Sequence, residues 1–116
     1  MTPQILIIIA SDPRTSARPA EAIRIAAGVG TWKKARFAVY LAGPAVLSLS
    51  EWADEYVDED NFDHYLPILA DFELPVMVES GSPHLAELGE PRLPFRETTP
   101  QELQRVAASS NYVMRF

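Results

Sequence analysis

At 116 residues and 47% apolar composition, the chain is sized for a single domain, 1–116, with a core of its own, and is too short for two. Its net charge of −6 has a local source: Glu51, Asp54, Glu55, Asp58, Glu59 and Asp60 crowd one stretch, and the ten acidic residues elsewhere match the ten Lys plus Arg. No basic stripe is present to neutralise phosphates and there is no cysteine, so nucleic acid and anionic membranes are disfavoured as partners, while disulfides, thiolate metal sites and thiol catalysis are excluded.

Ile5 to Ala10 is a continuous apolar run, the pattern of a strand covered on both faces by helices. It falls well short of the roughly 20 residues that span a bilayer, and no charged n-region or cleavage site accompanies it, so a cytoplasmic protein is expected. Ser11-Asp12-Pro13 stops the strand. Pro19 fits the first turn of a helix whose apolar stripe is Ala22, Ile23, Ile25, Ala26 and Val29. Ala35 to Ala42 is the second strand, ended by Gly43-Pro44. Leu49, Trp52, Ala53 and Tyr56 recur at helical spacing, which predicts a short amphipathic helix carrying the acidic stretch outward.

Tyr65 to Phe72 reads as a further helix with Pro67 near its start, and Pro75 to Glu79 as the third strand, followed by the loop Ser80-Gly81-Ser82-Pro83. His84 to Leu88 is a short helix stopped by Gly89, and Leu93 to Phe95 a minimal fourth strand. Thr98 or Thr99 caps a helix with Pro100 near its first position, Glu102 in its first turn, and Leu103, Val106 and Ala107 facing inward. Tyr112 to Phe116 closes the chain as a strand, with its apolar side chains expected to be inserted in the sheet. This alternation implies an α/β class: a three-layer α/β/α sandwich on a mainly parallel sheet of about five strands, joined by right-handed crossovers.

In open parallel sheets ligands gather outside the carboxyl ends of the strands, where loops and helix N-termini converge. Here that edge holds Ser11, Asp12, Arg14, Thr15, Ser16 and Arg18 after the first strand and Ser80, Ser82 and His84 after the third. Helix N-termini favour an anion, and the two arginines add charge-assisted bonds. The plainer role of Asp12 and Ser16 is an Asx turn and a helix cap, that of the arginines is solvated loop, and that of His84 is to cap or pack on its short helix. A serine and a histidine alone do not make a triad.

Asp58, Asp60, Asp63 and His64 lack the glycine and glutamate register of a calcium loop, so a solvated face is expected there, without a structural metal, and the chain requires no cofactor. After Ala10 there is neither a Gly-rich dinucleotide turn nor a Walker lysine. The third strand ends in Glu79-Ser80, without the phosphoacceptor aspartate of a receiver domain.

Two blocks, ILIIIASDPRTSARPAEAIRIAAG and TTPQELQRVAASSNYVMRF, resemble the first strand–turn–helix and the closing helix–strand of the DsrE/DsrF-like family of small sulfur-relay and related proteins. The resemblance extends over nearly the whole chain, least at Trp52 to Asp63. It implies a DsrEFH-like fold, a pocket at the carboxyl edge, and a homo-oligomer, trimer or hexamer, for which Trp52 and Tyr56 offer an apolar patch. It also implies a sulfur-carrying cysteine just after the third strand, where PVMVESGSPH places Ser80 or Ser82. The expected function is therefore a non-catalytic, oligomeric DsrE-like protein that binds a small anion or a partner protein at its carboxyl edge without transferring sulfur. The alternative is a cysteine-independent enzyme using Asp12, His84 and Ser80 or Ser82 for acid-base or hydrolytic chemistry.

Overall fold

The structure is a computed structural model that describes residues 3–31, 35–51, 55–72 and 74–116. Its elements run β1 (Gln4–Ile9), α1 (Arg18–Gly30), β2 (Arg36–Leu41), a 3₁₀ turn (Gly43–Leu49), α2 (Glu59–Leu69), β3 (Val76–Glu79), another 3₁₀ turn (Pro83–Glu87), β4 (Phe95–Thr98), α3 (Pro100–Ser109) and β5 (Tyr112–Arg115). The five strands lie in the order β4-β3-β2-β1-β5 and every pairing is parallel. β1 thus has a strand on each side and helices on each face. Consecutive apolar residues are what such a position demands, and Leu6, Ile7 and Ile9 are fully buried.

Alternation along the strands divides the core in two. Ile7 and Ile9, with Phe37, Val39, Leu41, Val76 and Val78, face α1, α2 and the Gly43–Leu49 turn. Leu6, Ala38, Tyr40 and Met77 face the other way, covered by Leu103, Val106 and Ala107 of α3. The result is the three-layer α/β/α arrangement, unequal in its two outer layers.

Small side chains let α2 approach α1. Ala20, Ala22, Ala26 and Ala27 are all fully buried, and Phe62, Leu66 and Leu69 form the inward stripe of α2. Asn61 Nδ2 of α2 donates to the carbonyl of Ala20 in α1 at 3.3 Å. α3 begins with a full capping box: Thr99 Oγ1 accepts from Glu102 N–H (3.2 Å) and the Glu102 carboxylate accepts from Thr99 N–H (3.3 Å).

Three sequence expectations shift. A 3₁₀ turn at Gly43–Leu49, with Pro44 in its first turn, follows β2; of the helix expected around Leu49 to Tyr56, Trp52, Ala53 and Asp54 lie outside the described residues. The helix expected from Tyr65 starts at Glu59, so Pro67 sits inside it. Asp58, in the left-handed conformation (φ 57°) that aspartate tolerates better than most residues, makes the entry turn. The fourth strand is Phe95–Thr98, because Leu93 is a buried core plug instead of a strand residue. β5 joins the sheet, but at its edge, where all four residues are exposed.

Because α3 is the one helix among the described residues that packs on the second face, its cap bears on the whole sheet. Thr99→Ala should lower stability by about 1 kcal/mol, the usual cost of losing such a cap, and chemical denaturation followed by circular dichroism checks it.

Candidate functional site at the carboxyl edge of the sheet

The ends of β1, β2 and β3 deliver three loops to one edge. Ala42 N–H donates to Ile9 O (2.8 Å), holding the second strand's exit beside the first, and Ser80 N–H donates to Thr98 O (3.1 Å) at the exit of the third. The middle loop is the floor: Ala45 to Ser50 are all buried. It is fastened to the loop after β3 by Arg92 N–H on Leu49 O (2.9 Å) and Glu51 N–H on Leu88 O (3.4 Å).

The first loop is shaped by Asp12. Its carbonyl accepts from Ser16 N–H (2.9 Å), and its Oδ1 accepts from Arg14 N–H (2.9 Å), closing an Asx turn. The same carboxylate takes Arg14 Nε (3.0 Å to Oδ1) and Nη2 (2.8 Å to Oδ2) in a fork. Hydrogen bonding from the Arg14 side chain holds the Asp12 carboxyl below the usual carboxylate range against the cost of its partial burial, and His84 adds a smaller favourable field. Ser16 Oγ accepts from Arg18 N–H (3.1 Å), closing a turn just ahead of α1 without being its expected cap. The N-cap, Ala17, has no capping side chain, and Pro19 in the first turn removes a donor. The Arg18 side chain makes no ion pair among the described residues.

The third loop turns at Gly81, whose φ of 73° only glycine adopts without strain. Ser82 is buried and its Oγ accepts from His84 N–H at 3.3 Å. Ser80 is exposed. His84 Nδ1 lies 2.6 Å from Glu87 Oε2, one turn along the same segment. That pair faces the first loop, since His84 acts on Asp12 and Glu87 on Arg14 through space.

Tyr56 completes the edge. Val57 N–H donates to Pro13 O (3.0 Å), bringing the Tyr56 segment against the first loop. Its ring packs edge-on to Phe62 (5.7 Å, 71°), and its phenol is hydrogen-bonded with Ser50. Burial pushes the phenol above its ordinary value, against the effect of that bond. Of the expected apolar patch, Tyr56 is half-buried with its ring packed against the core, and Trp52 lies outside the described residues.

The structure thus brings Asp12, Arg14, Ser82 and His84 to one edge, with Ser11, Ser16 and Arg18 alongside and Ser80 on the rim. Sequence reasoning did not assign Ser50, Tyr56 or Glu87 to it. The spacing His84-x-x-Glu87 was a readable signal for Glu87; nothing in sequence pointed to Ser50. Beside this edge, shallow acidic grooves of about 430 and 440 Å³ follow α2, the first lined by Glu55, Tyr56, Asp58, Glu59 and Asp60 and the second by Asp63, His64 and Tyr65. No three His, Asp or Glu side chains among the described residues converge on a metal-sized site. Nor is any helix among them long and apolar enough to cross a membrane.

No family model matches the chain, and no curated protein matches it. Among solved structures, it is similar to the crystal structure of the YchN protein from E. coli, with a TM-score of 0.78 over 100% of both chains at 20% identity. That likeness shows the fold alone: a five-stranded parallel α/β domain.

A folded-state carboxyl held low stabilises the protein above its unfolded value and loses that contribution as pH falls through the folded one. Asp12→Asn keeps the Asx turn and removes the charge. It should cost less than about 1 kcal/mol near pH 7, because Arg14 is half exposed and the pair is screened. The difference from wild type should be full at pH 7 and narrow steadily as pH falls from the ordinary carboxylate value through the lowered one of Asp12, as melting curves over a descending pH series will show.

Proposed function

We propose that this chain is a divergent, cytoplasmic member of the DsrE/DsrF-like family that has no sulfur-transfer activity, self-associates, and binds an anionic group at its carboxyl edge, either a free small anion or one carried by a partner protein. The observation that supports it most is the Asp12–Arg14 fork. It orients a guanidinium at the edge while leaving three of its five N–H groups uncommitted, and the side chain remains 51% exposed. Arg18 adds a second cation on the same loop. Asp12 and Glu87 offset the charge of Arg14, so the affinity expected is modest and selective for geometry over charge.

Sulfur transfer needs a nucleophile populated as thiolate near neutral pH. Where the family resemblance implies a cysteine, Ser80 lies exposed with no strong base bonded to it, and the Ser82 hydroxyl is occupied by a backbone N–H. The acid-base alternative gains the His84–Glu87 contact, which orients an imidazole. It loses Asp12, already forked by Arg14, and Ser82, already committed as a cap. Binding is the better-supported reading.

Two measurements test it. After incubation with a persulfide donor, intact mass should show no gain of a sulfur atom, and a stable adduct would refute the non-transfer reading. In thermal melts titrated with inorganic phosphate or sulfate, or with a short acidic peptide, one arm should stabilise the fold, and Arg14→Ala or Arg18→Ala should weaken that binding about tenfold. Stabilisation indifferent to both arginines would refute the binding reading.

A further inference from the structure

Among the described residues, β5 has β1 on one side and no strand on the other. Phe116 N–H donates to Ile8 O (2.9 Å) and Phe116 O accepts from Ala10 N–H (2.9 Å), so both of its backbone groups turn towards β1. Along a parallel strand these directions alternate by residue. Tyr112 and Met114 therefore also bond towards β1, whereas the N–H and C=O of Val113 and Arg115 point outward.

The side chains are as uneven as the backbone. Tyr112 is in register with Ile5 and Met114 with Ile7, so both extend the face that α1 and α2 cover. Yet Tyr112 is 66% exposed and Met114 38%. The apolar stripe runs past its cover. Edge strands are ordinarily guarded by Lys, Pro or bulges, and here Arg115 is the single charged side chain from Ser110 to Phe116.

We propose that β5 pairs antiparallel with β5 of a second copy, about a two-fold axis at Met114. This rests on the self-association reading above and names its surface. In that register Val113 lies opposite Arg115 of the other copy, each pair exchanging both backbone hydrogen bonds through the groups that point outward. Met114 meets Met114, and Tyr112 meets Phe116 as an aromatic cross-strand pair. One face of the junction becomes a continuous apolar strip of Tyr, Met and Phe side chains. A register centred on Arg115 sets the two arginines opposite each other. One centred on Val113 makes Asn111 the next hydrogen-bonding residue, and its N–H is already given to Gln4 O (2.8 Å). The segment is thus self-complementary in one register, which is the requirement of an isologous contact.

The test uses the alternation. Val113→Pro removes an N–H that β1 does not use, as an edge strand tolerates, and should halve the particle mass in light scattering while leaving circular dichroism unchanged. Met114→Cys introduces the sole thiol of the chain, opposite its own copy in a non-hydrogen-bonded pair with Cα atoms about 4.5 Å apart, within disulfide range. Mild oxidation should crosslink it at least about tenfold faster than Val113→Cys, whose copies are offset along the strands and, pointing to the other face, lie out of that range. If Val113→Pro unfolds the domain, the crosslinking comparison decides. An oligomer whose mass survives Val113→Pro, or crosslinking no faster at 114 than at 113, overturns the β5 pairing while self-association stands. A monomeric wild type overturns both.

Discussion

Everything in this domain hangs on the burial of β1. Its backbone bonds to β2 on one side and β5 on the other, and its side chains enter both cores, with Leu6, Ile7 and Ile9 closed to water. A strand so placed must satisfy its hydrogen bonds within the sheet and offer apolar atoms to both faces. The run Ile5 to Ile9 does so, and the order of the other strands follows from serving it. The carboxyl end of β1 then releases Asp12 at the point where the loops after β2 and β3 also emerge.

That geometry explains why the edge is chemically rich without being reactive. Asp12 shapes its own loop, orients Arg14 and is held ionised by it, and Ser82 starts the turn that presents His84. Each polar group is first a structural one. What remains outward is a set of donors in fixed positions over a buried floor, Ala45 to Ser50, which is the description of a recognition surface more than of a catalytic centre.

Much of the fold was legible because strong local patterns agree with it: the branched run of β1, Pro19 opening α1, and the Thr99–Glu102 box opening α3 are each specified within a few residues. The misplacements have a common physical origin. Pro67 reads locally as a helix start, but the packing of Phe62, Leu66 and Leu69 on the alanine face of α1 carries the helix through it. Leu93 reads as a strand residue, yet it fills the core beneath the third loop. In the candidate site, residues next to strand ends were legible from the general rule for parallel sheets. Ser50 and Tyr56 were not, since only tertiary contacts, such as Val57 N–H on Pro13 O, bring them to the first loop.

The two outer surfaces differ in kind. The carboxyl edge is polar and internally compensated, while the β5 edge is apolar, and one of the acidic grooves along α2 meets the carboxyl edge at Tyr56. The account therefore stands on ligand recognition being confined to the first surface. The most direct measurement is a two-dimensional amide spectrum of the isotopically labelled protein, titrated with inorganic phosphate and separately with an acidic peptide. The account predicts shifts concentrated at residues 11–18 and 80–87 and at the Arg14 and Arg18 side-chain N–H groups. Shifts confined to Glu59–Leu69, or none anywhere in either titration, would contradict it.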